Sequence, residues 1–142
     1  MRRPGVAPGS LDLGRIGMHI NVWVGAVGMM LMAAGNSFAQ DTAGEQVFGK
    51  CKACHVVDTD KNKIGPSLMG VIGRTAGTHA GFKYSNAMVE AGTSGIVWDE
   101  AALTSYLQNP KAFIKGTKMA FAGLKAEEDV ANVIAYLKQF SQ

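Results

Sequence analysis

Two cysteines and a histidine lie close together in the stretch GKCKACHVV, residues 49–57. Cys51 and Cys54 are the only cysteines in the 142-residue chain, they are three positions apart, and His55 follows at once. Three chemistries use such a pair of thiols: a redox disulfide couple, half of a zinc site, and covalent attachment of haem.

The surrounding sequence favours the third chemistry. A structural zinc site needs four protein ligands, and beyond residue 39 only His79 could complete it. A thioredoxin-like couple is expected beside a β-α-β pattern, which is absent, and it does not need a histidine after the second cysteine. Haem attachment explains all three residues, because the thiols form thioethers with the porphyrin vinyl groups and the imidazole of His55 reaches the iron.

An iron held by His55 has a second axial position. The candidates for it are Met69, Met88, Met119 and His79. Met119 lies in the glycine-bounded loop IKGTKMAFAG, between two predicted helices, and such a loop can place a thioether over the iron. We expect Met69 and Met88 to pack against the ring, and His79, in GTHAG, to be an exposed loop residue.

The first 39 residues differ from the rest. Arginines precede an apolar run over residues 22–34, and Ser37 and Ala39 are the small residues that a signal peptidase requires. We predict a secretory signal peptide over residues 1–39, cleaved after Ala39, and an exported, periplasmic domain over residues 40–142. The alternative is a membrane anchor formed by uncleaved residues 20–34, although the run is shorter than the roughly 20 residues of a spanning helix.

The predicted domain is close to neutral. Removing the leader takes away three of fourteen Lys+Arg and one of eleven Asp+Glu, which leaves a net charge of +1. Nucleic-acid binding therefore loses its compositional support.

The fold class predicted for this domain is all-α, with three to five helices and long loops. A first helix is expected to start at Asp41 or Thr42 and to carry the cysteines in its last turn. Further helices are predicted over residues 85–91, from the N-cap Asp99 to Asn109, and over residues 126–140. Long loops cover residues 64–93 and 111–125. These elements bury little apolar surface for about 100 residues, so a buried macrocycle would supply the missing core.

Five blocks in order resemble the class I cytochromes c, that is, mitochondrial cytochrome c and its soluble proteobacterial relatives. The blocks are FGKCKACH, GPSLMGVIGRTAG, GFKYSNAM, YLQNPKAFIKGTKMAFAGL and IAYLK. The resemblance implies the small cytochrome c fold wrapped around one covalent haem c. It also implies a monomeric electron carrier, not an enzyme, between a quinol-oxidising cytochrome bc-type complex and a terminal oxidase or photosynthetic reaction centre.

The resemblance assigns roles to particular positions. His55 and Met119 would be the axial ligands of the iron, Cys51 and Cys54 would hold the haem, and the Pro66 carbonyl would orient His55. Further haem contacts implied in this way are Arg74, Tyr84 and Trp98 around the propionates, Tyr106 and Thr117 beside the methionine, and Phe121 at the haem edge. A contact between the terminal helices would involve Gly44, Phe48, Val133 and Tyr136.

The resemblance also implies a role for charged residues in docking partners. The lysines expected around the exposed haem edge, where they would dock acidic partners, are Lys50, Lys52, Lys111, Lys118 and Lys125. Two positions depart from the family pattern: Met88 stands where many relatives have Asn, and Lys115 where proline is usual. These departures leave open a small-ligand sensor or peroxidase-like protein with a displaceable Met119.

Overall fold

The computed structural model describes residues 35–141, with side chains from Thr42 onward. Its five helices are α1 (Gly35–Phe48), α2 (Asn86–Thr93), α3 (Glu100–Gln108), α4 (Pro110–Phe113) and α5 (Glu127–Lys138). Over this range the β pairing is a single antiparallel bridge between Thr75 and Val97. The all-α prediction is confirmed. Most of the predicted leader and all of the alternative anchor, residues 20–34, lie outside the described residues.

The first and last helices pack directly against each other. Gly44 lies so close to α5 that a Cβ there would overlap the Asn132 carbonyl oxygen and approach the Tyr136 Cβ to 2.7 Å. The Phe48 and Tyr136 rings meet with centroids 5.4 Å apart, and Val133 is 1% exposed. The predicted contact between the terminal helices is therefore present, and glycine is what permits the close approach.

Side-chain caps set where α2 and α3 begin. The Ser85 hydroxyl accepts a hydrogen bond from the Met88 amide at 3.2 Å, and the Asp99 carboxylate accepts one from Ala102 at 2.8 Å. Both caps satisfy amides that have no partner inside their helix. These two helices begin as predicted.

Three predictions about the helices were wrong. The first helix begins at Gly35, before the expected start at Asp41 or Thr42. The cysteines do not lie in the last turn of α1, because this helix ends at Phe48 and successive turns carry the chain through residues 49–54. Gly49 follows that last helical residue, and glycine is unfavourable in a helix interior. The predicted loop 111–125 also contains part of α4, which has Pro110 at its first position and whose Ala112 amide donates to the Asn109 side chain.

The glycine-rich segment 64–93 is fixed by backbone hydrogen bonds to other parts of the chain. The Leu68 amide donates to the Val56 carbonyl oxygen at 2.8 Å. The Gly70 amide donates to the Phe140 carbonyl oxygen at 2.7 Å, and the Gly73 amide to the Trp98 carbonyl oxygen at 3.0 Å. Residues of this segment line a cavity together with the helices, the turns around the cysteines and the segment 117–121. No helix among residues 35–141 combines the length and apolar character needed to cross a bilayer.

Candidate haem site

A cavity of about 410 Å³ lies between the helices and the loop 64–93. All the site residues predicted from the sequence line it: Cys51, Cys54, His55, Pro66, Arg74, Tyr84, Trp98, Tyr106, Thr117, Met119 and Phe121. The rest of its wall is largely apolar, including Leu68, Val71, Leu103 and Leu107. Its volume and apolar character suit a cofactor-sized group held by a few polar side chains.

The imidazole of His55 is held in one orientation. Its Nδ1 lies 2.8 Å from the Pro66 carbonyl oxygen, which can only accept, so Nδ1 carries the hydrogen and Nε2 has a free lone pair. A Cβ on Gly65 would lie 2.8 Å from Nδ1 and 2.9 Å from Nε2, so only glycine fits beside this ring. Burial lowers the pKa of His55, the Pro66 hydrogen bond opposes that shift, and the charge of Lys63 adds to it. The ring therefore favours the neutral form that binds a metal.

The two cysteines are free, half-buried thiols at the edge of this cavity. Burial raises the pKa of the Cys51 thiol above its ordinary value, partly offset by the charge of Lys50. A thiol in a redox couple usually has a lowered pKa, which keeps it as the reactive thiolate. The environment of Cys51 therefore argues against a thioredoxin-like couple. No group of three or more His, Cys, Asp or Glu side chains within the described range could hold a metal ion.

Met119 is positioned by the segment before it. The hydroxyls of Tyr106 and Thr117 share a hydrogen bond of 3.0 Å, and the Thr117 oxygen also accepts one from the Met119 amide at 3.3 Å. Burial raises the pKa of Tyr106, and the hydrogen bond to Thr117 acts against that shift. The phenol therefore remains neutral and ties α3 to the methionine loop.

Arg74 connects the cavity wall to the loop behind it. Its guanidinium donates to the Ser67 carbonyl at 2.9 Å and to the Met69 carbonyl at 3.1 Å. Tyr84 and Trp98 line the same cavity, and burial raises the pKa of the Tyr84 phenol. These side chains bring hydrogen-bond donors to a largely apolar cavity, as carboxylates of a buried ligand would need.

Two expectations for the other candidate ligands were wrong. His79 is buried at 8% exposure, not exposed, because it packs behind Arg74, whose Nη1 lies 2.9 Å from its Nδ1. Met69 is 37% exposed and does not line the cavity. The backbone hydrogen bond from Gly70 to Phe140 places this part of the loop beside the end of α5. Met88 is buried and lines the cavity, as expected.

Sequence reasoning missed several lining residues. Ile64 lies in the wall although it is 78% exposed, which makes it the most exposed large apolar residue in the described range. Phe82 also contributes, with its ring centroid 4.8 Å from that of Tyr84. The pattern FxY at residues 82–84 could have indicated two aromatic side chains on one side of an extended segment.

The predicted docking lysines differ in their surroundings. Lys50 and Lys118 line the cavity, and so does Lys83, which was not predicted. Lys50 forms an ion pair with Asp129 at 2.9 Å, and Lys52 one with Glu45 at 3.2 Å. The remaining two, Lys111 and Lys125, are exposed and do not line the cavity. Three lysines, Lys50, Lys83 and Lys118, therefore line the cavity.

Paired thiols, an imidazole with a free nitrogen and an apolar cavity are the site of a c-type haem protein. The family model described as Cytochrome c matches residues 42–141. A cytochrome c2 iso-2 from Magnetospirillum fulvum is 60% identical over 91 residues, 64% of this chain and 92% of the relative. Cytochrome c2 from Blastochloris viridis is 48% identical over 118 residues, 80% and 91% of the respective chains. The chain belongs to the cytochrome c family.

A solved structure agrees with this assignment. The structure of cytochrome c2 from Rhodospirillum Centenum is similar with a TM-score of 0.69 and 43% identity, covering 72% of this chain and 98% of that one. The predictions of a small cytochrome c fold, of one covalent haem c with iron on Cys51 and Cys54, and of an electron-transfer protein rather than an enzyme are confirmed by this membership.

Proposed function

We propose that this protein carries single electrons in the periplasm through a haem iron ligated by His55 and Met119. The observation that carries the proposal is that both side chains line the cavity that contains the two thiols, with Nδ1 of His55 already engaged by a carbonyl. The haem supplies an iron that alternates between ferrous and ferric states. A thioether ligand favours the ferrous state relative to a second imidazole.

In this mechanism the protein would keep the iron inaccessible to other ligands and hold its surroundings rigid. Pro66 fixes the ring of His55, while the Tyr106–Thr117 hydrogen bond and the Thr117–Met119 contact hold the methionine loop. Phe121, half-buried in the cavity wall, would shield the haem edge from water. With His55 and Met119 both holding the iron, electron exchange would need little rearrangement and a substrate would have no place to bind the metal.

Exposure of the reduced protein to carbon monoxide tests this proposal. We expect no change in its absorption spectrum, because Met119 occupies the sixth position. The variant Met119→Ala is the positive control and should bind carbon monoxide, whereas Met69→Ala, outside the cavity, should behave like the wild type. A prompt spectral shift in the wild type would instead support the sensor or peroxidase-like function.

The proposed partners are a quinol-oxidising cytochrome bc-type complex as donor and a terminal oxidase or photosynthetic reaction centre as acceptor. Docking would place the cavity mouth against an acidic face of each partner. The exposed cavity-lining residues Lys50, Lys83, Lys118 and Ile64 would contribute to the contact. Lys52, Lys111 and Lys125 would contribute at a greater distance from the mouth. Such steering raises association rates, and its effect falls with salt.

Charge-removing variants test the docking proposal. Lys118→Gln and Lys50→Gln should slow electron transfer with a purified bc-type complex at low salt and reduce the dependence of the rate on ionic strength. Lys138→Gln is a matched control, because it also breaks an exposed ion pair, with Glu100 at 2.6 Å, and Lys138 does not line the cavity. Equal slowing by Lys138→Gln would contradict docking at the cavity mouth.

We also propose that residues 1–39 are a cleaved export signal and that residues 40–142 form a monomeric haem domain. The support is the charged and apolar pattern before the small residues Ser37 and Ala39. Mass spectrometry of the protein isolated from the periplasmic fraction tests the cleavage. A mass that includes residues 20–34 together with membrane association would instead support the tethered form.

A further inference from the structure

Pro66 belongs to a short segment that is fastened to the turns around the two thiols. The Gly65 amide donates to the Cys54 carbonyl oxygen at 2.9 Å. Two residues earlier in the segment, Lys63 Nζ donates to the Lys52 carbonyl oxygen at 2.6 Å. Only the second of these bonds depends on the type of side chain, so the residue type at position 63 decides whether it forms.

The hydrogen bond to Lys52 holds a positive charge near the imidazole of His55. Burial has the largest effect on the pKa of His55, which it lowers, and the charge of Lys63 lowers this pKa further. The field of the ammonium group therefore reaches the ring. A neighbouring cation opposes any added positive charge at the ring or at a metal bound to it.

Lys63 differs from the lysines that line the cavity. Lys50, Lys83 and Lys118 are part of the cavity wall, whereas Lys63 is exposed and lies outside this wall. Its hydrogen-bond acceptor is a neutral carbonyl, whereas Lys50 pairs with the carboxylate of Asp129 at 2.9 Å. The positive charge of Lys63 is therefore not cancelled by the group that holds it.

We propose that Lys63 is a fixed cation that raises the midpoint potential of the haem iron from the side of His55. One electron from the donor takes the iron from the ferric to the ferrous state, and Lys63 stays charged in both states. The ferric iron carries one more positive charge, so a nearby cation destabilises it more than the ferrous iron. The hydrogen bond to the Lys52 carbonyl keeps this cation in place.

The size of the effect follows from the exposure of the side chain. Because water and salt screen an exposed charge, we expect Lys63 to favour reduction by about twofold in the equilibrium constant. This factor corresponds to about 18 mV in midpoint potential, since tenfold is 59 mV for one electron.

The test is the midpoint potential of the isolated holoprotein, measured at low and at high salt. Lys63→Gln keeps an N–H donor but loses the charge, and it should lower the potential by about 18 mV at low salt and by less at high salt. Lys63→Arg keeps both the charge and the donor and should retain the wild-type potential. Lys61→Gln removes the same charge from an exposed position two residues earlier and should change the potential less than half as much.

Three results would overturn the proposal. These are an unchanged potential in Lys63→Gln, a fall of equal size in Lys61→Gln, and a fall in Lys63→Arg as large as that in Lys63→Gln. The last result would show that the shape of the lysine side chain matters and its charge does not.

The inference rests on the proposed redox role of the haem but not on Met119 as its ligand. A carbon monoxide-sensitive wild type whose potential still falls in Lys63→Gln would contradict the proposed ligation and leave the role of Lys63 standing. A closed iron with an unchanged potential in Lys63→Gln would do the reverse. The two proposals can therefore fail separately.

Discussion

The crossing of α1 and α5 and the wall of the haem cavity are both apolar, yet they are completed in different ways. At the crossing, Gly44 admits the backbone of α5, and the rings of Phe48 and Tyr136 fill the adjacent space. At the cavity wall, side chains surround about 410 Å³ that they do not fill themselves. One region is a direct contact between two helices, although Phe48 and Val133 also line the cavity, whereas the other depends on a covalently attached group.

Among the variants considered, removal of both thiols should cause the largest loss of stability. We expect Cys51→Ala/Cys54→Ala to lose covalent haem and at least about 5 kcal/mol in the free energy of unfolding, much of the net stability of a small domain. The cavity wall would lack the group that it packs against, while the helix crossing would keep its own contacts. Haem staining on denaturing gels and thermal unfolding by circular dichroism measure the two losses.

The two single variants are the controls for this prediction. Each keeps one thiol and should retain one thioether and a more stable fold than the double variant. A haem-free double variant that unfolds as cooperatively as the wild type would show that the cavity wall does not depend on the attached group.

Adding a methyl group at the crossing should have the next largest effect. Gly44→Ala places a Cβ against the Asn132 carbonyl, so the helices must separate, at a cost of about 3 kcal/mol. Urea unfolding should show the loss, while the haem spectrum of the folded protein stays unchanged. Gln46→Ala, at an exposed position of α1, should cost little; an equal loss there would contradict the role given to Gly44.

A double-mutant cycle measures the coupling between two hydrogen-bonded residues of the cavity wall. Tyr106→Phe and Thr117→Val remove the same hydrogen bond, so their effects on the free energy of unfolding should be non-additive by about 1 kcal/mol. Either variant should also make the methionine loop more mobile, seen as faster binding of an added ligand such as imidazole. Additive effects would mean that the two hydroxyls act independently.

The smallest expected effect lies on the exposed helical surface. Lys138 and Glu100 form an ion pair at 2.6 Å with side chains 49% and 67% exposed, and such pairs contribute about 0.5 kcal/mol. A double-mutant cycle with Lys138→Gln and Glu100→Gln should give a coupling of this size at low salt. The coupling should vanish in high salt; one that persists there would indicate a contact other than the ion pair.

Local signals allowed most helices to be predicted. The caps Ser85 and Asp99 act on amides three residues away, so their effect can be read without knowing the fold. The apolar face of α5 is buried as its spacing indicates. The end of α1 before Cys51 was missed, because the i to i+3 turns that follow Phe48 compete closely with a further helical turn.

The site residues differed in how well the sequence predicted them. The thiols and His55 are adjacent in sequence, and Met119 was favoured by its glycine-bounded loop, whereas the remaining predicted residues came from the family resemblance. Ile64 was missed because an isolated exposed apolar residue has no periodicity. His79 was misjudged because its burial depends on Arg74 and on the hydrogen bonds that fix the loop around it.

The sequence by itself determined the chemistry of attachment, since Cys51, Cys54 and His55 lie within one short segment whose spacing is set by covalent geometry. Only the tertiary structure decided that Met119, Arg74 and His55 share one cavity. It also placed His79 behind Arg74, in contact range of Asp60. These are contacts between residues distant along the chain, and they depend on packing and backbone hydrogen bonds that no local pattern encodes.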